Sequence, residues 1–355
     1  MKKIDFLIIG QGLAGSLLGW ELIQRGFSVV IVDHGMENAS KVAAGLINPI
    51  TGMRFVKSDD VDTLLPAARN CYRRLEAHFH QSFFFEKPMV RILKGETEVE
   101  WAKKRLKNRD YETYIAHLET RENQIEPLTS PFGYLEQRQT GYLLTRPLLN
   151  ALLEYFISRQ SYLESDFNYH EIELEPHLKW KDFNPGQVIF CEGYRATQNP
   201  WFSWLPFQPV KGEILTLQHE TTLPDMILNY GNWLIPLGSN QIKIGATYDR
   251  EHLNTEVTQE AKDELLLKLG QLSPGLANAS VIKHEANVRP GTLDRNPFIG
   301  RHPNFPELMI FNGFGSKGSL QIPWYSCHFA DHLLNDSSLI RTCNIHRYAK
   351  TYLTT

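Results

Sequence analysis

Hydrophobic positions change their spacing along this chain, and the changes divide it into strand-like and helix-like stretches. Ile4 to Ile9 is a short apolar run suited to a strand buried on both faces. Ser16 to Arg25 carries Leu17, Leu18, Leu22 and Ile23 on one side and stops at Gly26, which predicts a helix. Phe27 to Val32 predicts a second strand, closed by Asp33. Asp62 to Phe79 has helical spacing through Leu64, Leu65, Ala68, Cys71, Tyr72, Leu75 and Phe79. Phe83-Phe-Phe and Met89 to Leu93 read as strands, and Glu96 to Arg109 as a strongly charged helix. Gly141-Tyr-Leu-Leu predicts a strand. Arg146 to Gln160 predicts a helix with Leu148, Leu149, Leu152, Leu153 and Phe156 on its apolar side. Gln187 to Gly193 returns to a buried strand that ends in glycine.

The texture changes at Pro209. Lys211 to Gln218, Trp233 to Leu237 and Gln241 to Tyr248 are short runs with alternation, or with turn signals such as Gly238-Ser-Asn between them. They predict an antiparallel sheet. Thr258 is placed to cap a helix through Leu269 that Gly270 ends. There is no internal repeat and no low-complexity tract.

Composition narrows the class. At ~150 residues per domain, 355 residues suggest about two domains. Lys+Arg minus Asp+Glu is 37 − 40 = −3, which gives no electrostatic case for a dedicated nucleic-acid or polybasic membrane binder. Hydrophobic residues at 42% are ordinary for a chain that buries large cores without staples. The cysteines Cys71, Cys191, Cys327 and Cys343 form no Cys-x-x-Cys pair, so no metal site is expected. The apolar run after Met1-Lys-Lys is too short for a signal peptide, and no segment reaches membrane-span length. A cytoplasmic protein is expected.

The chemistry concentrates first at the amino-terminal end. Gly10-Gln-Gly12-Leu13-Ala14-Gly15 stands between the first strand and the first helix. Gly10 permits a tight turn, Gly12 lets the backbone approach a pyrophosphate, and Gly15 lets helix and strand pack closely. The free N–H groups and partial positive charge of the helix end suit phosphates. Asp33, 18 positions after Gly15, is placed to accept hydrogen bonds from ribose hydroxyls. This is a dinucleotide site, and Asp33 alone does not separate NAD from FAD. His34 reads as an adenine-side or solvent residue. Ala43-Ala44-Gly45-Leu46 opens a small, apolar segment running to Gly52 that is too broken for a helix. It could lie flat against a planar cofactor, or it could be a buried connection. Arg54 could meet an acidic substrate group or form a surface ion pair. Gly193 marks a third approach to the nucleotide.

Two carboxy-terminal stretches complete a set. Val288-Arg-Pro-Gly-Thr-Leu-Asp-Arg-Asn-Pro-Phe-Ile-Gly-Arg-His-Pro303 is followed by Leu308-Met-Ile-Phe-Asn-Gly-Phe-Gly-Ser-Lys-Gly-Ser319. With the amino-terminal glycines, this resembles the FAD-dependent glycine oxidase / D-amino-acid oxidase family, in the same element order over nearly the whole chain. Pro209-Val-Lys-Gly-Glu-Ile-Leu and Ile244-Gly-Ala-Thr are similar to two of the family's strands. The resemblance implies FAD and an α/β fold. A Rossmann-type FAD-binding domain (1–80, 141–205 and 285–355) would be interleaved with an antiparallel-sheet α+β substrate domain (81–140 and 206–284).

The resemblance also implies roles. Arg289 falls where glycine oxidase pairs with the substrate carboxylate, and a guanidinium suits that task because it binds bidentately and keeps its charge. Gly313, Phe314, Gly315, Ser316, Lys317 and Gly318 resemble the stretch whose amides meet the flavin ahead of a final helix. Lys243 matches the lysine of sarcosine-oxidase-like members that assists reaction with oxygen. Trp233 stands where glycine oxidase has a tyrosine, Leu237 replaces a basic residue, and the substrate pocket has therefore diverged. The cysteine that tethers flavin in sarcosine oxidase is absent from Val288-Arg-Pro, so non-covalent FAD is expected.

The expected activity is oxidation of the C–N bond of an amino acid or glycine-like secondary amine by hydride transfer to flavin N5. The partners are a small amine bearing a carboxylate and O2 or another electron acceptor. No nucleic acid and no membrane are expected. The alternative within the family is the FAD half of the tRNA wobble-uridine enzyme, whose carboxymethylaminomethyl group is a disguised glycine. It would need a basic surface such as Lys103 to Arg109.

Overall fold

Lys2–Ile9 forms the centre of a parallel sheet, with Val29–Asp33 on one side and Phe183–Phe190 on the other. Tyr162–Glu164 extends the sheet beyond Val29–Asp33, and Leu308–Asn312 extends it beyond Phe183–Phe190. The computed structural model describes residues 2–353. The strands are nearly continuous apolar runs because both faces are covered. Ile8, Ile31, Ile189 and Phe311 pack against Leu17, Leu18, Leu152 and Phe329 from helices on one face. Leu7, Val30, Phe190 and Ile310 pack against Trp180 and Phe202 on the other.

The second sheet has eight strands and draws on two separate parts of the chain. Its order is Ser280–Arg289, Val210–Gln218, Gln241–Gly245, Trp233–Gly238, Ile227–Asn229, Met89–Ile92, Tyr134–Gln137 and Ile115–Glu119. The expectation of an antiparallel sheet needs one correction. Ile227–Asn229 runs parallel to Met89–Ile92, at the junction where the two chain segments meet. Alternation within a strand fixes its faces but not the direction of a partner from elsewhere in the chain. The boundary expected at residue 285 falls inside Ser280–Arg289, all of which belongs to this sheet.

Three further elements differ from expectation. The helix capped by Thr258, whose Oγ1 accepts from the Ala261 N–H at 3.2 Å, runs Gln259–Leu272 and passes through Gly270. Leu269 and Leu272 both lie in the core, and their burial outweighs the glycine's poor helix propensity. The charged helix stops at Leu106 and resumes as a one-turn helix, Arg109–Tyr111. The strand expected to reach Gly193 ends at Phe190, and Gly193 opens a short 3-10 helix with φ of 61°.

The two sheets are tied together near the site. Arg146, on helix Thr145–Ser158, bonds Glu37 at 2.7 and 2.8 Å and reaches Glu285 of the second sheet at 3.0 Å. Tyr72 donates to the Ser319 carbonyl at 2.5 Å, joining helix Val61–Phe79 to helix Gly318–Asn335, expected to be the last but followed by a short helix, His346–Tyr352. Among the described residues, no helix is long and apolar enough to cross a membrane, and no group of His, Cys, Asp and Glu could hold a metal.

Candidate active site

The amino-terminal turn has the geometry its glycines require. Gly10 has φ of +107°, and a Cβ there would sit 2.6 Å from the Cys191 carbonyl oxygen. A Cβ on Gly15 would sit 2.0 Å from the Gly10 oxygen, so helix Leu13–Gln24 packs against the strand only with glycine in place. Gly12 starts that helix without a side-chain cap, which leaves first-turn amides for an anion. Leu13 differs from its neighbours: its side chain joins the core and its amide donates to Ser40 Oγ at 2.9 Å. Ala14 is half-buried beside it. Asp33 ends the second strand, and its two oxygens accept from the Gln11 and Gly35 amides at 2.8 Å each. Those bonds hold the carboxylate in place and leave further lone pairs for hydroxyl donors. His34 Nδ1 accepts from the Met36 amide at 2.9 Å, so that ring braces its own turn.

Two more backbone segments carry expected cofactor contacts. Ala43 and Ala44 lead into the short strand Leu46–Ile47. Gly45 has φ of +67° and accepts from the Leu143 amide at 3.0 Å, while Thr145 Oγ1 donates to the Ala43 carbonyl at 3.2 Å. Ala44 and Leu46 pack with Trp233 and Ile235, so this segment lies against the second sheet. At the other chain end, Gly313 and Gly315 have φ of +83° and +53°. Phe314 between them is buried, and the Gly315 amide donates to the Pro290 carbonyl at 3.1 Å. Ser316 is exposed, and Lys317 precedes the helix that begins at Gly318. Lys317 Nζ meets Ser58 Oγ at 3.1 Å, and burial pushes its pKa below the ordinary lysine value. The carbonyl of Gly193, the third expected approach to the nucleotide, accepts from Asn312 Nδ2 at 2.8 Å.

The register of the second sheet brings the remaining expected residues to one face. Side chains alternate along a strand, so directly paired residues share a face. Glu285, Ile214, Gly245 and Trp233 form one row across four strands. Lys283, Thr216, Lys243 and Ile235 form the next row on that face. Arg289 pairs with Val210 further along, and its guanidinium leans back over Gly212. Arg289, Lys243 and Trp233 are thus gathered by strand pairing from separate parts of the sequence. The opposite face holds Lys211 and Glu213, buried together with Nζ 3.4 Å from Oε1. Asn254 and Thr258 complete their hydrogen bonds, as buried charges require.

The electrostatics of the gathered face are unusual. Arg289 Nη1 is buried and has no hydrogen-bond partner. Burial lowers its pKa from the ordinary arginine value, opposed by Tyr248, whose ring centroid is 5.2 Å from Cζ. Burial likewise lowers the pKa of Lys243, with Glu285 acting the other way and Lys283 and Arg146 adding to the fall. Cationic groups held out of water without a full set of acceptors can bind an anionic ligand. Arg54 is not on this face. It is exposed in the turn after Ile50–Thr51 and lines a separate cleft of about 520 Å³ with Lys57, Arg295 and Lys317.

A comparison with protein families decides what the paired glycine turns belong to: the model of FAD dependent oxidoreductases matches residues 5–331. The chain belongs to that family. Glycine oxidase of Pseudomonas aeruginosa is 24% identical over 362 residues, covering 93% of this chain and 94% of that protein. The tRNA 5-methylaminomethyl-2-thiouridine biosynthesis bifunctional protein MnmC of Marinobacter nauticus is 23% identical over 365 residues. That match takes in 95% of this chain but 56% of the longer protein. Among solved structures, glycine oxidase from Geobacillus kaustophilus superposes with a TM-score of 0.82 at 21% identity, over 96% of both chains. Iminodiacetate oxidase from Chelativorans sp. BNC1 gives 0.78 at 20% identity, over 96% of this chain and 98% of that one.

FAD is the cofactor of this family member, and the residues present fit it. The uncapped helix start, the Asp33 carboxylate and the glycine pairs at both chain ends would supply amides, a ribose acceptor and close backbone approach. Gly193 and Gly52 have open space where a Cβ would be, and a Cβ on Gly315 would meet one backbone atom, at 3.8 Å. Sequence reasoning missed Gly212 and Tyr248. Both lie in stretches it quoted, but neither type signals a role until the pairing of distant strands sets it against Arg289.

Proposed function

We propose that this FAD-dependent oxidoreductase oxidises the C–N bond of an amino acid or of a glycine-like secondary amine. The observation that carries this reading is Arg289: a half-buried residue whose Nη1 is buried and unpartnered, on the same sheet face as Lys243 and Trp233. Arg289 binds the substrate carboxylate and fixes the orientation of the carbon beside it. FAD, held without a covalent bond, would supply the acceptor for the hydride that leaves that carbon. The amine binds neutral, its nitrogen lone pair closes the C=N bond, and water then hydrolyses the imine to a carbonyl compound and an amine or ammonia. Trp233 walls the substrate side beside Ala44 and Leu46. Lys243 holds a desolvated positive charge that favours oxygen reduction to peroxide.

The same reading assigns the nucleotide contacts to Gly10 through Gly15, Asp33, Ala43 through Leu46, Gly193 and Gly313 through Gly318. It divides the chain into interleaved FAD and substrate domains, with the last boundary after Arg289, and it suits a cytoplasmic enzyme. The glycine oxidase and iminodiacetate oxidase relatives support a small substrate with a carboxylate beside the amine. The test is anaerobic bleaching of the flavin spectrum with a panel of amino acids and N-alkylglycines. Bleaching by at least one carboxylate-bearing amine supports the proposal, and peroxide on readmitting air identifies an oxidase. A panel that leaves the spectrum unchanged overturns it.

The match to the bifunctional tRNA protein across 95% of the chain supports a second reading, oxidation of a carboxymethylaminomethyl group on tRNA. It predicts salt-sensitive tRNA binding. A titration with bulk tRNA showing no binding at low salt removes it.

A further inference from the structure

Tyr248 is a large aromatic side chain left 66% exposed on a backbone that has little freedom to move. Its two chain neighbours are both hydrogen-bonded to the neighbours of Gly212. The Glu213 amide donates to Thr247 Oγ1 at 2.9 Å and the Thr247 amide to the Glu213 carbonyl at 3.2 Å. Lys211 and Asp249 exchange backbone bonds at 2.8 and 3.1 Å. These four bonds set Tyr248 directly across from Gly212. The guanidinium of Arg289 reaches both: a Cβ on Gly212 would fall 2.0 Å from Nη2, and Cζ stands over the Tyr248 ring, 5.2 Å from its centroid.

We propose that Tyr248 is a positioning and specificity-determining residue: its ring and the bare Cα of Gly212 confine the Arg289 guanidinium so that it meets a carboxylate edge-on. A guanidinium offers its N–H donors only in its own plane. Held against the Tyr248 ring and the Gly212 backbone, the guanidinium keeps one orientation, a planar carboxylate binds through parallel N–H···O bonds, and the rest of the substrate is carried into one orientation. The ring also shields the ion pair from bulk water, where it would be weakened. A substrate lacking a planar anion gains nothing from this arrangement. The inference rests on Arg289 as the carboxylate anchor and adds what fixes the plane of that anchor.

The test uses the FAD-loaded enzyme and acetate, a carboxylate that cannot be oxidised, whose binding is read from the flavin spectrum. Tyr248→Leu should weaken acetate binding roughly tenfold, within the range of a partly desolvated cation–π contact, and raise the substrate KM in parallel. Tyr248→Phe keeps the ring face and should restore acetate affinity to within about twofold of wild type. Tyr248→Leu binding acetate as tightly as wild type overturns the proposal, and so does Tyr248→Phe failing as badly as Tyr248→Leu. Arg289→Ala separates the two claims. If it still binds acetate normally, the anchor reading itself fails. If it loses acetate binding while Tyr248→Leu does not, only the role of Tyr248 fails.

Discussion

Arg289 occupies the space that a side chain at position 212 would fill: a Cβ there would lie 2.0 Å from Nη2 and 2.5 Å from Cζ. Strand pairing makes this unavoidable, because Gly212 faces Asn287 and the Arg289 side chain leans back across that row. Gly212→Ala must therefore displace the guanidinium while leaving the nucleotide turns untouched. The expected result is a protein that folds and retains FAD but loses kcat/KM on the order of 10²-fold, as a misplacement of about 1 Å can cause. Steady-state kinetics beside the flavin-to-protein absorbance ratio checks it. Unchanged kinetics would mean that Arg289 has no part in substrate binding.

Gly45 makes the corresponding prediction for the cofactor. Its φ of +67° disfavours any other residue, and an added Cβ would fall 2.0 Å from the Leu143 carbonyl oxygen. The Ala43–Leu46 segment would have to leave both its partner strand and the second sheet. Strain of this kind costs about 1–3 kcal/mol where the surroundings resist it. Gly45→Ala is expected to raise the FAD dissociation constant at least ~10-fold, since 1.4 kcal/mol is one decade. Flavin retained after gel filtration, followed by titration of the apoprotein, measures this.

Lys243 carries a charge that burial disfavours. Lys243→Met keeps an unbranched side chain of similar length and removes the desolvation cost. Two outcomes are expected. Melting temperature at neutral pH rises, because below the lowered pKa the native lysine must be charged in a poor environment. Reoxidation of the reduced enzyme by O2 slows by about 10²-fold, as loss of an electrostatic stabiliser predicts. In the wild type, that reoxidation weakens as pH climbs through the Lys243 pKa, which lies below the ordinary 10.5. Stopped-flow mixing with oxygenated buffer separates this step from substrate oxidation.

What the sequence disclosed and what it hid follow one physical division. The Gly10–Gly15 turn was legible because strand, glycines, helix and acid are contiguous, and each residue type answers a local constraint. Arg289 and Lys243 were legible only through resemblance, since nothing in their own neighbours distinguishes a substrate-facing cation from a strand residue facing solvent. Gly212 and Tyr248 were not legible at all, because their meaning depends on the pairing of Val210–Gln218 with Ser280–Arg289 and on the bonds of Thr247 and Asp249. Gly270 misled for the converse reason. A glycine stop is a local signal, and tertiary burial of Leu269 and Leu272 overrode it. The parallel junction between Met89–Ile92 and Ile227–Asn229 was hidden because direction between distant strands leaves no trace in their alternation.

Glu192 supplies a pH signature that belongs to the fold. It follows the strand Phe183–Phe190, which pairs with the central strand Lys2–Ile9, and stands beside Gly193. Its carboxylate accepts from Tyr169 OH at 2.7 Å and from Asn199 Nδ2 at 2.8 Å. Burial raises its pKa to about 7, against the smaller opposing effects of Asn199, Tyr169 and Arg195. The native chain thus holds this proton more tightly than the unfolded chain, where the carboxyl titrates near 4.5. Stability from this group is full below about pH 4.5 and declines as pH rises, until the native carboxyl has also ionised just above about pH 7. Carboxylates with lowered values, such as Asp62 and Asp249, act in the opposite sense at lower pH. The clean measurement is therefore a difference. Glu192→Gln keeps an oxygen acceptor and cannot ionise. The gap in unfolding free energy between wild type and variant should narrow in favour of the variant from about pH 5 to about pH 8, then stay constant. A gap independent of pH across that window would show that Glu192 titrates as an ordinary carboxyl.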